Sequence, residues 1–299
     1  MKSILTVTLN PAIDKTVRVK VTLSAGGKGL NVSRVIKTLG GKTIATGLIG
    51  GATGMFIKNK LNAEKIANDF FFVSGETRTN LTKINPKNGE ITRVLEPGPV
   101  ISKKEASDFR KKYCSLLAKS KYVVFTGSLP KGLKPGIYAE LVKIAKNKNV
   151  ATVLDTSKEA LRLGIKSKPF ILKPNLEELE EVIGRKLNSI AKIKEAIQTL
   201  HHKGTEIVII TMGEKGAVAS NGKEILKTVL PKIKCINNVG SGDSFIGGFV
   251  YSYSKGKSFS ESLKLAAACG SANALSINPG FCKKKDINKL LKKIKIERV

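Results

Sequence analysis

The chain has 299 residues, 41% hydrophobic and 25% charged, which suits a soluble globular protein with room for one large α/β domain. Its formal net charge is +30, from 53 Lys+Arg against 23 Asp+Glu. That favours anionic partners, yet the lysines are spread along the chain beside no zinc finger or RNA-binding signature, and aromatics are only 5% with no Trp, so no specific nucleic-acid partner is expected.

No apolar run approaches a membrane span, and the start MKSILTVTLNPAID has no signal-peptide pattern, so a cytoplasmic protein without a membrane partner is expected. Cys114, Cys235, Cys269 and Cys282 are scattered, and His201 and His202 are the only histidines. This excludes a convincing zinc set and argues against His-dependent nucleophilic triads.

Alternation of short β-branched runs with amphipathic ones predicts a mainly parallel sheet covered by helices on both faces. Ile4–Leu9 is the first predicted strand. The NPAID that follows places Asn10 and Asp14 at its carboxyl end, where they serve either as turn and cap groups or as holders of sugar hydroxyls. AGGKGLN then opens a helix predicted over Leu30–Leu39. Gly26 and Gly27 permit close backbone approach, and Lys28 is a point charge suited to phosphate. The plainer reading is a glycine-rich turn.

After a strand at Thr43–Ile49, the stretch from Phe70 to Gly98 breaks the rhythm. It holds two strand-like segments around NPKNGE and predicts a hairpin outside the main sheet, with Arg78 and Asn80 on it. Helices are predicted over Lys103–Ala118 and Gly136–Lys146, with strands at Tyr122–Thr126, Ala151–Asp155 and Phe170–Lys173. KPNLEELEE starts a helix predicted over Leu176–Val182, where Asn175 and Glu178 face the same way across the first turn. They either complement the helix dipole or hold magnesium through water. Further on come a helix at Ile190–His202, a strand at Glu206–Thr211 ending in TMGEKG, and helices at Ser244–Ser254, Ser260–Ala274 and Asp286–Lys293.

Most of the unusual residues follow strand ends, where open α/β sheets bind ligands. The sharpest signal is NVGSGDSFIGGFV. An aspartate at a helix start is ordinarily a cap, but Gly240, Ser241 and Gly242 strip side chains from the helix mouth and suit an anion. Asp243 is then either a structural cap or a general base beside a phosphate. No P-loop pattern exists in the chain.

Together TVTLNPAID, AGGKGLNVSRV, GETRTN, GSLPKG, LDTSKEAL, KPNLEELEEVIGR and NVGSGDS resemble the PfkB/ribokinase superfamily of sugar kinases, in the branch of 1-phosphofructokinases and tagatose-6-phosphate kinases. The resemblance implies a ribokinase-like three-layer α/β sandwich as one domain, residues 1–299, with a small β lid at about 14–24 and 70–98. It implies ATP and Mg2+ as cofactors and a sugar phosphate as partner. By position, Asp243 matches the catalytic base and Gly240, Ser241 and Gly242 the anion hole. Asp14, Gly27, Lys28 and Asn31 match sugar-phosphate contacts, with Arg78 on the substrate phosphate and Asn80 beside it. Asn175 and Glu178 match the magnesium-organising element. Lys173, Thr211, Gly213, Gly216 and Asn273 match the nucleotide side.

The expected activity is phosphorylation of fructose 1-phosphate. The alternatives are a tagatose-6-phosphate or 6-phosphofructokinase and, from another class, a non-catalytic sugar-phosphate or nucleic-acid binder. One departure stands out: KTVRVKVTLS between Asp14 and Ala25 is short for two lid strands and a turn. A shortened lid is therefore expected, which puts substrate closure and a homodimer in doubt.

Overall fold

The computed structural model describes residues 2–17, 20–85 and 91–299. Its larger sheet has a parallel centre in the order β12 (Ile207–Thr211), β11 (Ile171–Leu172), β10 (Ala151–Asp155), β9 (Ser120–Thr126), β1 (Ser3–Thr8), β4 (Thr43–Ile49) and β5 (Ala67–Asn68), with β6 (Phe71–Phe72) also on β4. Beyond β12 the sheet turns antiparallel through β13 (Ala217–Ser220), β14 (Ile225–Val229) and β15 (Lys295–Arg298).

Successive strand residues point to opposite faces, and the two cores sort accordingly. Leu5, Val123, Phe125, Leu154, Val208 and Ile210 pack with residues of α3 (Lys103–Leu117), α4 (Ile137–Asn147), α5 (Lys158–Ile165), α6 (Leu176–Ile183) and α7 (Ile190–His202). Ile4, Tyr122, Val124, Val153, Ile207 and Ile209 pack with α1 (Lys28–Thr38), α8 (Ser241–Ser254), α9 (Phe259–Ala274) and α10 (Lys284–Leu291). These are the expected three layers. A third cluster packs Ile57 and Leu61 of α2 (Gly51–Ala63) against Ile13, Ala25 and Leu30 at the base of a second sheet.

That second sheet is the lid, in the order β3 (Val21–Gly26), β2 (Ala12–Val17), β7 (Arg78–Ile84) and β8 (Ile91–Leu95). It corrects the expectation that the first lid segment is too short for two strands. β2 and β3 pair antiparallel over six residues each, from Ala12↔Gly26 to Val17↔Val21. The strands reach into the NPAID and AGGKG motifs at either end, so Asp14 and Ala25 lie within strands and need no extra residues outside them. The second lid segment begins at Arg78, because Phe71–Phe72 pairs with β4 of the larger sheet. Of the predicted turn NPKNGE, at 85–90, residues 86–90 lie outside the described residues.

Candidate active site

Two helix mouths open towards each other beyond the carboxyl ends of the central strands. α8 packs against α1 and α9 at very close range, which its small residues permit. A Cβ on Gly247 would lie 2.9 Å from Val35 Cβ, and one on Gly248 2.8 Å from Cys269 Sγ. The approach brings the first turns of α1 and α8 side by side, and Asn31 Nδ2 donates to Asp243 Oδ2 at 2.9 Å.

Asp243 does not cap its helix. The cap position is Gly240, left-handed at φ 81°, and no side chain caps the helix, so first-turn N–H groups are left without intrahelical partners. The Asp243 carboxyl is buried, and burial pushes its pKa up to about 6 against the opposing pull of Lys28. A carboxylate held in that range suits a general base working near neutral pH.

Beneath it lies a charged cluster. Asp155, at the end of β10 and almost fully buried, sits between Lys173 Nζ at 3.1 Å and Lys28 Nζ at 3.8 Å. It also accepts from Thr126 Oγ1 at 2.9 Å. Burial raises the pKa of such a carboxyl, but the two ammonium groups outweigh it and hold Asp155 below the ordinary carboxylate range. In return Asp155 raises the Lys28 pKa well above that of a free lysine. Lys173 Nζ lies 3.5 Å from the place a Gly242 Cβ would take, so its charge sits at the mouth of α8.

Asn175 and Glu178 form a reciprocal capping box at the start of α6: Glu178 N donates to Asn175 Oδ1 at 2.7 Å, and Asn175 N to Glu178 Oε2 at 2.9 Å. The structural reading of this pair is therefore realised, and it still leaves Glu178 Oε1 turned towards Lys28 at 4.0 Å. Burial raises the Glu178 pKa. Among the described residues no three His, Cys, Asp or Glu side chains form a metal cage. Across the cleft Lys28 and Lys173 face Asp155, Glu178 and Asp243, two positive charges against three negative. A triphosphate is poorly matched to that balance unless a divalent cation enters with it, and magnesium held by few protein groups keeps several waters.

The lid side is built differently. Asp14 and Asn80 are paired in the β2–β7 register, and Asn80 Nδ2 donates to Asp14 Oδ1 at 3.1 Å. The Asp14 carboxylate fills the space a Gly26 Cβ would need, one residue before Gly27, the φ 134° cap of α1. Arg78 gives its terminal nitrogens to the Glu96 and Asn10 carbonyls, at 2.8 and 3.0 Å. Thr8 Oγ1, against Gly29 of α1, and Asp155 Oδ1 in the charged cluster are buried without a hydrogen-bond partner, and so, at the lid root, are Asn10 Oδ1, Arg78 Nε and Asn80 Oδ1. Such groups are costly when left unmade, and the gathering of the last three at the lid root fits a polar ligand.

On the far side, Thr211 N donates to Pro174 O at 3.2 Å, linking the end of β12 to the Asn175 loop. Gly213 starts a 3-10 turn and Gly216 ends it, with Met212 N donating to Gly216 O. Asn273 turns inward. It donates to Val239 O at 2.7 Å and Ser241 Oγ at 3.2 Å and accepts from Gly280 N at 2.7 Å, so here it fixes the loop entering α8.

Sequence reasoning assigned no role to Asp155 or Arg34. A carboxylate closing an apolar strand in LDTSKEAL was the available signal for Asp155. Arg34 stands inside AGGKGLNVSRV, but nothing there assigned it a role, because its partners outside α1 come from three other segments.

The pfkB family carbohydrate kinase profile matches residues 7–286. A tagatose-6-phosphate kinase of Staphylococcus epidermidis is 36% identical over 311 residues, covering 99% of this chain and all of that one. A 1-phosphofructokinase of Borreliella burgdorferi is 35% identical over 309 residues, with 99% of each covered. Among solved structures, the tetrameric inhibited form of phosphofructokinase-2 from Escherichia coli superposes with a TM-score of 0.91 at 27% identity, covering 98% of this chain and 99% of that one.

Proposed function

Because the chain belongs to the pfkB family of carbohydrate kinases, we propose that it transfers the γ-phosphoryl group of ATP to a ketohexose phosphate, converting fructose 1-phosphate to fructose 1,6-bisphosphate. The observation that carries this reading is the buried Asp243 carboxylate at an uncapped helix mouth, with one oxygen held by Asn31 and the other left for substrate. We read residues 1–299 as one kinase domain carrying the lid.

Asp243 takes the proton of the attacking hydroxyl as it closes on the γ-phosphorus in line. The Gly242 N–H, with Lys173 beside it, meets the charge on the transferring group, while the Ser241 N–H donates to Asn238 O at 3.2 Å. Asp14 and Asn80 orient sugar hydroxyls, while Lys28 and Arg78 Nε offer donors to the phosphate already on the sugar. Thr211, Gly213 and Gly216 border the nucleotide, and Asn273 shapes that border through the loop it holds. Asn175 and Glu178 would hold magnesium through water, and the ion would supply positive charge against the negative charge of the nucleotide phosphates.

A second reading, tagatose 6-phosphate as substrate, is favoured by the 36% identity to a kinase of that name. The two substrates differ in where the first phosphate sits, so the lid decides between them. Val21, Leu23, Val94 and Leu95 are exposed on that lid. They suit pairing with a second copy, and a homodimer fits the tetrameric assembly named for the E. coli protein. Among the described residues no helix is long and apolar enough to cross a membrane, and the four free thiols suit the reducing cytoplasm.

Magnesium-dependent ADP release, measured with fructose 1-phosphate, fructose 6-phosphate and tagatose 6-phosphate, tests both readings. The highest kcat/KM is expected on fructose 1-phosphate. Background release on all three, with duplex binding that persists at physiological salt, would overturn the kinase reading.

A further inference from the structure

The carboxylate of Asp243 is steadied by a chain of contacts that reaches three segments away. Asn31 donates to it through Nδ2, and the Asn31 Oδ1 at the other end of the amide accepts from Arg34 Nη1 at 3.1 Å. Arg34 is itself buried and held on every side. Its Nε and Nη2 grip Glu64 at 2.7 and 3.1 Å, at the end of α2, and Nη2 also donates to Ala25 O at 2.7 Å in β3. The Phe281 ring stacks 4.6 Å from its Cζ. The adjoining Gly280 lies so close to Asn31 that a Cβ there would be 2.9 Å from Oδ1.

We propose that Arg34 is a positioning residue for phosphoryl transfer: it locks the Asn31 amide with its NH2 group on Asp243, so that one carboxylate oxygen stays occupied and the proton of the substrate hydroxyl goes to the other. The inference rests on the reading of Asp243 as the base. An amide has a donor end and an acceptor end, and a guanidinium has donors only. A flipped Asn31 would turn its NH2 towards the guanidinium and its oxygen towards the carboxylate.

While Asp243 is ionised it accepts only and favours the same orientation. Once it has taken the hydroxyl proton, one of its oxygens is a donor and it no longer dictates which way Asn31 points. Arg34 does so throughout the cycle. The other charged groups facing Asp243 are Lys28 on α1, Lys173 after β11 and Asp155 at the end of β10. The hydrogen bonds of the Asn31 side chain go to Asp243 and Arg34 and to none of these three.

The test is a double-mutant cycle on kcat with R34M and N31A, with D243N assayed in parallel. Each single variant is expected to lower kcat about 10- to 100-fold, the scale of a slightly misplaced catalytic group, with KM for ATP little changed. The double variant should be no worse than the poorer single, because both remove one device. A role confined to stapling α1 to α2 gives losses that multiply, or an R34M enzyme with normal kcat, and either result overturns the proposal.

R34M leaves the Glu64 carboxylate without its partner, a cost to folding in itself, so R34M/E64L, which strands no charge, is the second variant. Folded R34M/E64L with wild-type kcat overturns the proposal, and a loss matching N31A supports it. Near-normal turnover in D243N shows instead that the base reading fails. An inactive D243N with an additive cycle removes the Arg34 role and leaves the base in place.

Discussion

The two walls of the cleft satisfy their polar groups in opposite ways. On the helix-mouth wall most side chains are paired: Asp155 lies between Lys28 and Lys173, its Oδ1 held by charge without a hydrogen bond, Glu178 closes a capping box, and Asn273 and Asn31 make bonds at both ends of their amides. On the lid wall Asn10, Arg78 and Asn80 each bury an atom with no hydrogen-bond partner. The first arrangement is a preorganised field, which costs no reorganisation when charge moves. The second is a set of unmade bonds that a hydroxylated, phosphorylated ligand can complete. The contrast supports the proposal that proton transfer belongs to the helix mouths and the sugar hydroxyls to the lid, and it is open to attack from either side.

The largest effect expected is on the base. D243N should lower kcat by about 10²- to 10⁴-fold and leave KM for ATP nearly unchanged; an active variant in steady-state assays removes Asp243 from the chemistry. D155N comes next, since it strands the buried Lys173 charge, and breaking a buried pair by removing one partner costs about 3–5 kcal/mol. Thermal unfolding checks this, and an unchanged Tm would mean that the field is not built on this carboxylate.

The lid wall should respond in KM. N80A is expected to raise KM for the sugar phosphate about tenfold, roughly the value of a hydrogen bond to a charged or strongly polar ligand, with kcat largely kept. A fall in kcat at constant KM would blur the division between the walls.

Acid pH gives a finer test. With the Asp243 pKa near 6, kcat should fall as pH drops through that value. The same shift has a consequence for stability. A carboxyl whose folded pKa is raised stabilises the fold while protonated, fully so below its unfolded value near 3.8. That contribution is lost as pH rises through about 6. Above pH 6 the ionised, buried group is a burden, so D243N should unfold at higher denaturant than the wild type, by on the order of 1–3 kcal/mol. Equal stability at pH 8 would mean that the carboxylate is better solvated than its burial implies.

The central strands were legible because they are buried on both faces and read as apolar runs: Thr43–Ile49 and Ala151–Asp155 match their predicted bounds, as does the amphipathic helix Ile190–His202. Two helices lie where the pattern predicts none. α2 begins in GATG and shows little apolar periodicity because it covers the lid root, and α5 spans only eight residues. The antiparallel edge β13–β15 also went unpredicted; its last strand comes from the chain terminus, and pairing across that distance leaves no local signal.

The sequence by itself determined which residue types stand at which strand ends, and so the family and the phosphate-ready character of the glycine-lined helix starts. Gly240 and Asp243 carry that information within a few residues, because a helix start is a local structure. Only the tertiary structure decided what those residues touch. Asp243 is a buried carboxylate and not a cap because α1, separated by more than two hundred residues, brings Asn31 against it. Arg34 acquires Glu64, Ala25 and Phe281 from three separate segments. Asp155 becomes the hub of two lysines for the same reason. Burial, and the charges that burial gathers, depend on contacts distant in the chain, and these set the direction of each pKa shift in the cleft.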